Sequence, residues 1–426
     1  MKNILVIYNL IEYPVAASLI ESIYAFKKYS HDKIFYLNFF YSPFPWYLNH
    51  VKFDIILFHH SLTNFWHEHR FYKTLDILKT VNFDGAKKAA FFQDEYHHTD
   101  WRCEFINTLS IDYVFSVAPE TEWNNIYNKV NFENVRFHRV LTGYLDETTI
   151  KEVALLENKT TKKTDIFFRT LWIKTYRIGR FGMYKYHLVN IFKEKAKNTS
   201  LIVDLETGNN SILGKKWYKF LLSSKYTIGC ESGASLLDRD GIITEKINKY
   251  LFQHPEASFE ETETNCFPNL DGNLNLKAIG PRHLEACMTK TCQVLMEGEY
   301  NGILKPDIHY IELKSDFSNI DQVIDIIQED KIRQKIIDNA YTDIVIYGNY
   351  TYRKFVEFVF DKIETKATNI ETKFSKKFWY LYSVKLDKLN RLKAFIFKLF
   401  LAPVYNYMIK IVSLERVNRL LKMLKL

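Results

Sequence analysis

The feature that most constrains the fold is a repeated alternation of short apolar, β-branched segments with longer segments of helical periodicity. A first series of predicted strands covers residues 3–8, 33–37, 54–58, 88–92 and 112–117, with a helix predicted over 14–28. A second series covers 165–168, 200–203, 226–229, 291–296 and 309–313, followed by helices over 322–327, 330–341 and 349–363. Strands alternating with helices predict parallel βαβ units. The sequence therefore predicts an α/β protein with two Rossmann-like domains facing across a cleft, over residues 1–150 and 164–365, with 151–163 as a polar linker.

Composition agrees with a large folded protein. A length of 426 residues suits two domains and an appendage. A hydrophobic content of 47% with 25% charged residues is typical of folded chains. The five cysteines are scattered without a C-x-x-C pair, which favours reduced thiols and argues against a disulfide framework or a structural zinc site. The first residues lead directly into a predicted strand rather than a signal peptide. We therefore expect a cytoplasmic protein.

The positive charge is concentrated in the C-terminal segment. Residues 372–426 contain 13 Lys and Arg against Asp387 and Glu415, a balance of +11 within a total of +8. Residues 374–398 and 405–426 have apolar side chains at helical spacing, interrupted at Pro403, and are too short and polar to span a bilayer. Residues 366–426 are therefore predicted to be a basic amphipathic tail that lies on the anionic inner face of a membrane. A partner-docking helix is the alternative. No stacking motif supports nucleic-acid binding, and no nucleic-acid partner is predicted.

Residues 279–302 combine a helix, a strand and a loop of the kind that binds nucleotides. The helix begins at Pro281, a position where proline costs no hydrogen bond, and places Arg282 and Glu285 in its first turns. The strand 291–296 then ends in a polar loop that contains two glycines. A helix start and a glycine-containing loop at a strand's carboxyl end are where an open α/β sheet holds a nucleotide.

Cations follow the first strand of the second domain. Arg169, Arg177 and Arg180 precede Lys185, which opens a helix. Guanidinium groups bind phosphate oxygens in pairs and lysine acts as a point charge, so the group suits a diphosphate. A solvated basic loop is the alternative reading.

The next strand, at 226–229, leads into a turn of small residues. Small side chains there allow a ligand to approach the backbone closely. The turn 231–235 is therefore predicted to form part of the same pocket, with a purely structural turn as the alternative.

These motifs resemble the donor site of glycosyltransferases of the GT-B type, whose group 1 members (family four and its relatives) read roughly P-x-x-x-E-A before a short strand and a glycine-containing loop. Here Glu285 and Ala286 follow Pro281. The resemblance implies that Arg169 and Lys185 contact the donor diphosphate and that Glu285 accepts hydrogen bonds from the ribose hydroxyls. The expected donor-binding residues are Arg169, Arg177, Arg180, Lys185, Glu231, Ser232, Gly233, Arg282, His283, Glu285, Glu299, Tyr300, Asn301 and Gly302.

The chain departs from the group 1 pattern at two points. The spacing from Arg169 to Lys185 is longer, which leaves open whether Arg169, Arg177 or Arg180 is the main ligand. Lys277 stands where many members have another glutamate, so that Glu297 or Glu299 would have to replace it. The resemblance implies no cofactor and no metal beyond the nucleotide-sugar donor.

The first domain is expected to bind the acceptor. Residues 91–100, FFQDEYHHTD, follow a predicted strand and place carboxylates and imidazoles at its carboxyl end. An inverting transferase needs a general base at this position. Asp94 and Glu95 are the leading candidates, with His97 and His98 next. The paired histidines lack the spacing of a metal site.

Two other functions are compatible with parts of the sequence. Residues 236–243, LLDRDGII, resemble the first motif of haloacid-dehalogenase-type phosphatases, in which Asp238 would be the nucleophile and Asp240 the acid/base around magnesium. They also resemble the D-x-D motif of GT-A glycosyltransferases. The buried strand that both motifs need is missing, and a capping or positioning role fits the aspartates better. A non-catalytic glycan- or nucleotide-sugar-binding protein is the other alternative.

The sequence as a whole predicts a metal-independent glycosyltransferase. It would move a sugar from a nucleotide-diphosphate sugar to a surface-glycan or lipid-linked acceptor, with the basic tail holding it at the inner membrane face.

Overall fold

The structure, a computed structural model, describes residues 1–401 except 14, 65, 66, 82, 84, 171–175, 209–211, 213 and 365–374. Residues 402–426 and 366–374 of the predicted tail therefore lie outside the described residues.

The first domain is a doubly wound parallel sheet. Its strands run in the order β2-β1-β3-β4-β5-β6, and every pair is parallel. Its strands and helices are β1 (Asn3–Tyr8), α1 (Ala17–Tyr29), β2 (Lys33–Asn38), β3 (Ile55–Phe58), α2 (His60–Thr63), α3 (Glu68–Lys79), β4 (Lys87–Phe92), α4 (Thr99–Leu109), β5 (Tyr113–Ser116), α5 (Trp123–Ile126), β6 (Arg136–Arg139) and α6 (Glu147–Glu157).

Alternating side chains explain why these strands are covered on both faces. In β1, Ile4 and Val6 pack in one core cluster and Leu5 and Ile7 in another on the opposite face. Period-two alternation between two buried faces is what a parallel sheet between helical layers requires.

The second domain repeats this architecture with a five-stranded sheet in the order β13-β12-β9-β7-β8, again all parallel. A separate two-stranded antiparallel ribbon, β10-β11, lies beside it. Its elements are β7 (Thr164–Thr170), α7 (Tyr184–Ala196), β8 (Val203–Thr207), α8 (Lys215–Leu222), β9 (Ser224–Gly229), β10 (Ser232–Ala234), α9 (Ile242–Gln253), α10 (Phe259–Cys266), β11 (Leu276–Ala278), α11 (Pro281–Met288), β12 (Cys292–Met296), β13 (Tyr310–Leu313), α12 (Ile320–Glu329) and α13 (Arg333–Tyr341).

Two further helices return to the first domain. The helix α14 (Tyr352–Lys362) packs against the first-domain core through Phe355, Val356 and Val359. The helix α15 (Ser375–Ile396) lies along β2, continues as a π-helical turn over Phe397–Leu401, and contributes Ala394 to the same core. The chain therefore passes from the first domain to the second and back again.

Polar contacts fix α15 on the first domain. Asp387 accepts hydrogen bonds from Tyr8 Oη at 2.5 Å and Tyr24 Oη at 3.0 Å. Trp379 stacks on the His50 ring at 5.5 Å between centroids. The described part of the predicted tail is thus integrated into the first domain.

The predicted fold class is confirmed, since the chain forms two Rossmann-like α/β domains and ends the described part in a helix. Residues 151–157 of the predicted linker belong to α6, whose start Asp146 caps by accepting from Thr148 N at 2.9 Å and Thr149 N at 3.2 Å. The strand expected at 200–203 begins only at Val203. Among the described residues, no helix combines the length and apolarity needed to cross a membrane.

A direct backbone link joins the domains near the cleft. Tyr96 O accepts from Asp238 N, and Asp238 O accepts from His98 N, each at 2.7 Å. Nearby, Asp100 N donates to Arg239 O at 3.0 Å. The loop after β4 is therefore hydrogen-bonded to the segment after β10.

Candidate functional site

A cavity of about 370 Å³ opens at the carboxyl edge of the second sheet. It is lined by the end of β7 at Phe168 and Thr170 and by the end of β9 at 227–229. The chain leaves β7 for β8 on one side and then crosses to β9 on the other, so the cavity lies at the topological switch point of the sheet. Ligands of open α/β sheets bind in this crevice. We call it the first cavity.

Lys185, the second residue of α7, brings a positive charge into the first cavity. Among the described residues, no carboxylate lies within ion-pair distance of its ammonium group. Burial lowers the pKa of Lys185 and the charge of Arg282 lowers it further, whereas Cys230 and Asp94 act in the opposite direction. A partly desolvated cation without a carboxylate partner is suited to bind an anion.

The start of α11 forms another wall of the first cavity, through Gly280, Pro281, Arg282 and His283. His283 Nδ1 accepts from Gly280 N at 3.0 Å, and burial lowers the pKa of this histidine to about 4. The imidazole is therefore neutral at physiological pH and fixes the helix start. The positive end of the helix dipole adds to the charge of Lys185.

The small-residue turn lies in the first cavity as predicted, at Glu231, Ser232 and Gly233. Gly233 has a φ of +149°, and a Cβ there would lie 1.9 Å from Leu276 O across the β10-β11 ribbon. Any larger residue would separate the two strands, so glycine is required by the close approach.

Glu231 has a structural role in this wall of the first cavity, where it contacts the loop after β12. It is 4% exposed and accepts from Tyr300 N at 2.8 Å. Burial raises the pKa of its carboxyl group. Glu231 therefore holds the loop after β12 in place.

A second cavity of about 310 Å³ adjoins the first and contains Arg169 and Glu285. The two cavities share Thr170, Trp217, Pro281 and Arg282 as a common wall. The second cavity also reaches the first domain at Ala17 and Ser18 of α1. The predicted donor residues are thus divided between two adjoining cavities rather than gathered in one.

Glu285 is held by Trp217, whose indole Nε1 donates to Glu285 Oε2 at 2.8 Å. Burial raises the pKa of Glu285, while the Trp217 hydrogen bond and the charge of Arg282 lower it. Arg282 lies over the Trp217 ring, with its guanidinium carbon 5.0 Å from the ring centroid. Nothing in the sequence around Trp217 indicates this role.

Arg169 is largely neutralised by acidic side chains of β8. Its guanidinium contacts Asp204 Oδ1 at 2.5 Å and Glu206 Oε2 at 3.4 Å. It borders the second cavity, but its charge is already compensated, which weakens the expectation that it is the main diphosphate ligand.

Arg180 points away from both cavities, contrary to expectation. It pairs with Glu260 at 2.9 Å and Glu263 at 3.2 Å and lies over the Phe259 ring. Arg177 instead faces the first domain. Burial raises the pKa of Asp94 and of Tyr96, and the charge of Arg177 opposes that rise at both residues. Of the three arginines, Arg177 is the one directed at the cleft.

The loop over 299–302 does not line either cavity. Tyr300 is fully buried and donates its hydroxyl to Met296 O at 2.6 Å. Asn301 Oδ1 accepts from Ile279 N at 2.8 Å. Glu299 and Gly302 are exposed outside the cavity walls. The loop therefore positions the chain just before α11, which is a supporting role instead of the predicted direct contact.

On the first domain, Asp94 is the exposed carboxylate of the predicted acceptor loop. It has a φ of +53°, and Asn64 Nδ2 donates to its Oδ2 at 3.1 Å. Partial desolvation in the cleft raises its pKa, while the charges of Arg102, Arg177 and Lys185 lower it. The carboxylate thus senses Lys185 across the cleft.

Glu95 and His97 do not have the placement of a general base. Glu95 is fully buried and accepts from Val117 N at 3.0 Å, Ala118 N at 3.2 Å and Tyr127 Oη at 2.5 Å. His97 is 1% exposed, and burial lowers its pKa to about 2. Both candidates lie within three positions of Asp94 in sequence, but their side chains point into the core.

Arg102 organises this loop from below. It is fully buried on α4 and donates to the carbonyl groups of Gln93, Asp94 and His97. Three carbonyl acceptors from one loop fix the backbone that presents Asp94. An arginine inside a helical pattern gives no sequence signal for such a contact.

The aspartates of the phosphatase-like motif cap a helix. Asp238 is fully buried and accepts from Gly241 N at 3.0 Å, Ile243 N at 3.2 Å and Thr244 N at 2.8 Å. Asp240 accepts from Ile242 N at 3.1 Å. Among the described residues, no group of three or more His, Cys, Asp or Glu is placed to hold a metal ion. The capping interpretation fits this geometry, and the phosphatase alternative is not favoured.

Two doubly wound parallel sheets facing across a cleft, with a cavity at the switch point of the second sheet, constitute the GT-B architecture. No protein-family model matches the chain, and no curated protein matches it.

Solved structures of similar arrangement include two that are described as glycosyltransferases. An alpha-glucosyltransferase in complex with UDP-glucose and DNA shares 9% identity at a TM-score of 0.48, over 84% of this chain and 98% of that one. A glycosyltransferase from Rickettsia africae shares 10% at 0.45, over 84% and 97%. HepE from Anabaena, with UDP and glucose, shares 8% at 0.43, over 85% and 99%. The fold assignment rests on the two sheets of this chain.

Proposed function

We propose that the protein is a glycosyltransferase that uses a nucleotide-diphosphate sugar. The observation that carries the proposal is the position of Lys185 beside the start of α11, in a cavity at the switch point of the second sheet. A cation and a helix N-terminus at that point favour a diphosphate. Among the described residues, neither the Lys185 ammonium group nor the Arg282 guanidinium group at the start of α11 has a carboxylate within ion-pair distance.

The two adjoining cavities fit an elongated donor. Each falls in the size range of small-molecule sites, and they share a wall at Thr170 and Arg282. We assign the diphosphate to Lys185 and the α11 start, and the nucleoside hydroxyls to Glu285, which Trp217 orients. A carboxylate that accepts from hydroxyl groups gives a charge-assisted, geometrically selective contact.

Asp94 is assigned to the acceptor side of the reaction. The acceptor oxygen attacks the anomeric carbon, and the bond from that carbon to the diphosphate oxygen breaks. Asp94 takes the proton of the acceptor hydroxyl, and Lys185 stabilises the negative charge on the leaving nucleoside diphosphate. The raised pKa of Asp94 makes it a better proton acceptor than an aspartate with an ordinary pKa. Closure of the cleft would exclude water from the transfer.

A surface-glycan or lipid-linked acceptor at the inner membrane face completes the proposal. Its support is the lysine-rich C-terminal segment, which suits an anionic surface. Sugar transfer at a membrane surface would bring a lipid-linked acceptor to the cleft.

The test is donor binding by Lys185→Met, with Lys219→Met as the matched control. Lys219 is exposed on α8 and lines neither cavity. Nucleoside diphosphates should raise the Tm of the wild type and of the control, since a ligand that binds only the native state stabilises it. Lys185→Met should lose this shift and reduce transfer by roughly 10²-fold.

Three outcomes would contradict parts of the assignment. If no nucleoside diphosphate changes the Tm of the wild type, the donor proposal is wrong. If Lys185→Met binds as the wild type does, the diphosphate lies elsewhere. Tight donor binding without release of nucleoside diphosphate for any acceptor would support the non-catalytic binding protein instead.

A further inference from the structure

The face of α15 that meets the first domain is apolar at Trp379, Tyr380 and Leu386, and small and polar along most of the rest. Its most buried residues are Ser383, Asp387, Asn390 and Ala394, each no more than 6% exposed. Their spacing of three to four residues puts them on one side of the helix. Asn390 Nδ2 donates to Ser42 Oγ at 3.0 Å, which adds to the tyrosine contacts of Asp387.

The opposite face of the same helix is apolar and open to solvent. Leu381, Leu389, Leu392, Phe395, Ile396 and Leu399 are 43–55% exposed and recur at helical spacing. We call these six residues the apolar stripe. A surface helix normally turns its apolar side to the core and its polar side to water. In α15 the apolar stripe faces water on the side opposite the core, which indicates that the stripe has another partner.

Charge identifies that partner. Lys385, Lys388 and Lys393 are exposed on the same face, and none of them forms an ion pair with another described residue. The only acidic residue in 375–401 is Asp387, which faces inward. A second copy of the chain would oppose like charges across a twofold contact, because both stripes would carry the same lysines. An anionic surface would attract them.

We infer that the apolar stripe of α15 binds an anionic lipid surface, lying in the plane of the interface. Leucine and phenylalanine side chains would enter the headgroup boundary while the lysines extend to the lipid phosphates. Residues 402–426 continue the same composition, with five Lys and Arg against Glu415. The inference depends on α15 alone and does not rest on the proposed transfer reaction.

The experiment compares full-length wild type with Leu389→Gln/Leu392→Gln in vesicle co-sedimentation. The vesicles are phosphatidylcholine alone or phosphatidylcholine mixed with phosphatidylglycerol. The matched control is Phe252→Gln, at a position that is 87% exposed on α9 with no apolar stripe around it. The wild type and the control should bind the mixed vesicles, less at high salt, and the double variant should bind at least about tenfold more weakly.

The Tm of each variant separates the alternatives. Because the stripe is exposed, the double substitution should leave the Tm unchanged. A fall in Tm without vesicle binding by the wild type would mean that another part of the chain covers the stripe, and the inference would be wrong. Concentration-dependent self-association of the wild type that the double variant loses, again without vesicle binding, would identify a second copy as the partner and would also overturn it.

Discussion

At the scale of single residues, neighbouring positions have opposite surroundings. Asp94 faces the cleft, and Glu95 and His97 point into the core of the first domain. The sequence predicted that this segment carries the acidic side chain of the site, and Asp94 is the carboxylate there that is exposed. It could not separate the two carboxylates, because their difference depends on Ser116 and Tyr127, which reach Glu95 from distant parts of the chain.

The pair of variants Asp94→Asn and Glu95→Ala tests this difference. Asn tolerates the left-handed backbone conformation at position 94, so Asp94→Asn should keep the wild-type Tm and lower turnover by about 10²–10⁴-fold, as loss of a general base does. Glu95→Ala removes the acceptor of several buried donors and should cost about 2–5 kcal/mol of stability. Thermal melts and donor turnover measured together check both. Normal turnover in Asp94→Asn would remove its assigned role.

Glu21 on α1 predicts a pH dependence of stability. It lies near Asp146 and Glu285 at the junction of the domains, and burial raises its pKa from 4.5 to about 7. An acid whose pKa is higher in the folded state binds more protons when folded, so its stabilising effect is complete below about pH 4.5 and is lost as the pH rises through about 7.

Replacing Glu21 with Gln should remove this pH dependence. Glu21→Gln should have a higher Tm than the wild type above about pH 7 and a similar Tm near pH 4.5, with a difference in unfolding free energy of at most about 3 kcal/mol. Glu133→Gln, at an exposed position, is the control and should follow the wild type. Parallel Tm curves for wild type and Glu21→Gln across this range would show that Glu21 does not carry the effect.

At the scale of elements, composition predicted most strands and helices. Segments such as β1 and β12 are mostly apolar and are recognisable without a structure. The strand β6 was missed because Arg136–Arg139 contains three basic side chains and forms an exposed edge of the sheet. The site was harder to predict. Arg180 and Arg169 form ion pairs with acidic residues that lie tens of residues away along the chain. Residue type alone does not reveal these pairs, which make both arginines weaker candidates for phosphate binding.

The inward face of α15 carries an element-scale prediction. Asp387→Ala leaves the hydroxyls of Tyr8 and Tyr24 without their acceptor in a buried position and should cost about 1–3 kcal/mol. Asp387→Asn retains an acceptor oxygen and should recover part of the loss. Chemical denaturation of both variants, with exposed Lys388→Ala as the control, measures the difference. An unchanged midpoint for Asp387→Ala would mean that α15 contributes little to the first domain.

At the scale of the whole molecule, the predicted domain boundaries and the observed packing differ. The chain length and the two strand series predicted two α/β domains, and both sheets are present. The return of α14 and α15 to the first domain was not foreseen, because an amphipathic helix does not reveal which domain its apolar face covers. Tyr352, Phe355 and Val359 settle this by packing with Phe26 and Phe91.

The backbone link between the segment at Tyr96 and the segment at Asp238 has a consequence for anyone who wishes to build hybrid proteins from this chain. Consider a chimera that joins residues 1–150 of this chain to the second domain of a homologue. Its loop after β4 and its segment after β10 would come from different proteins, and their backbone hydrogen bonds would not be matched. The loop that carries Asp94 would then no longer be held in its position relative to the second domain. A functional chimera would have to take residues 93–100 and 235–243 from the same protein, and α14 and α15 from the protein that supplies the first domain.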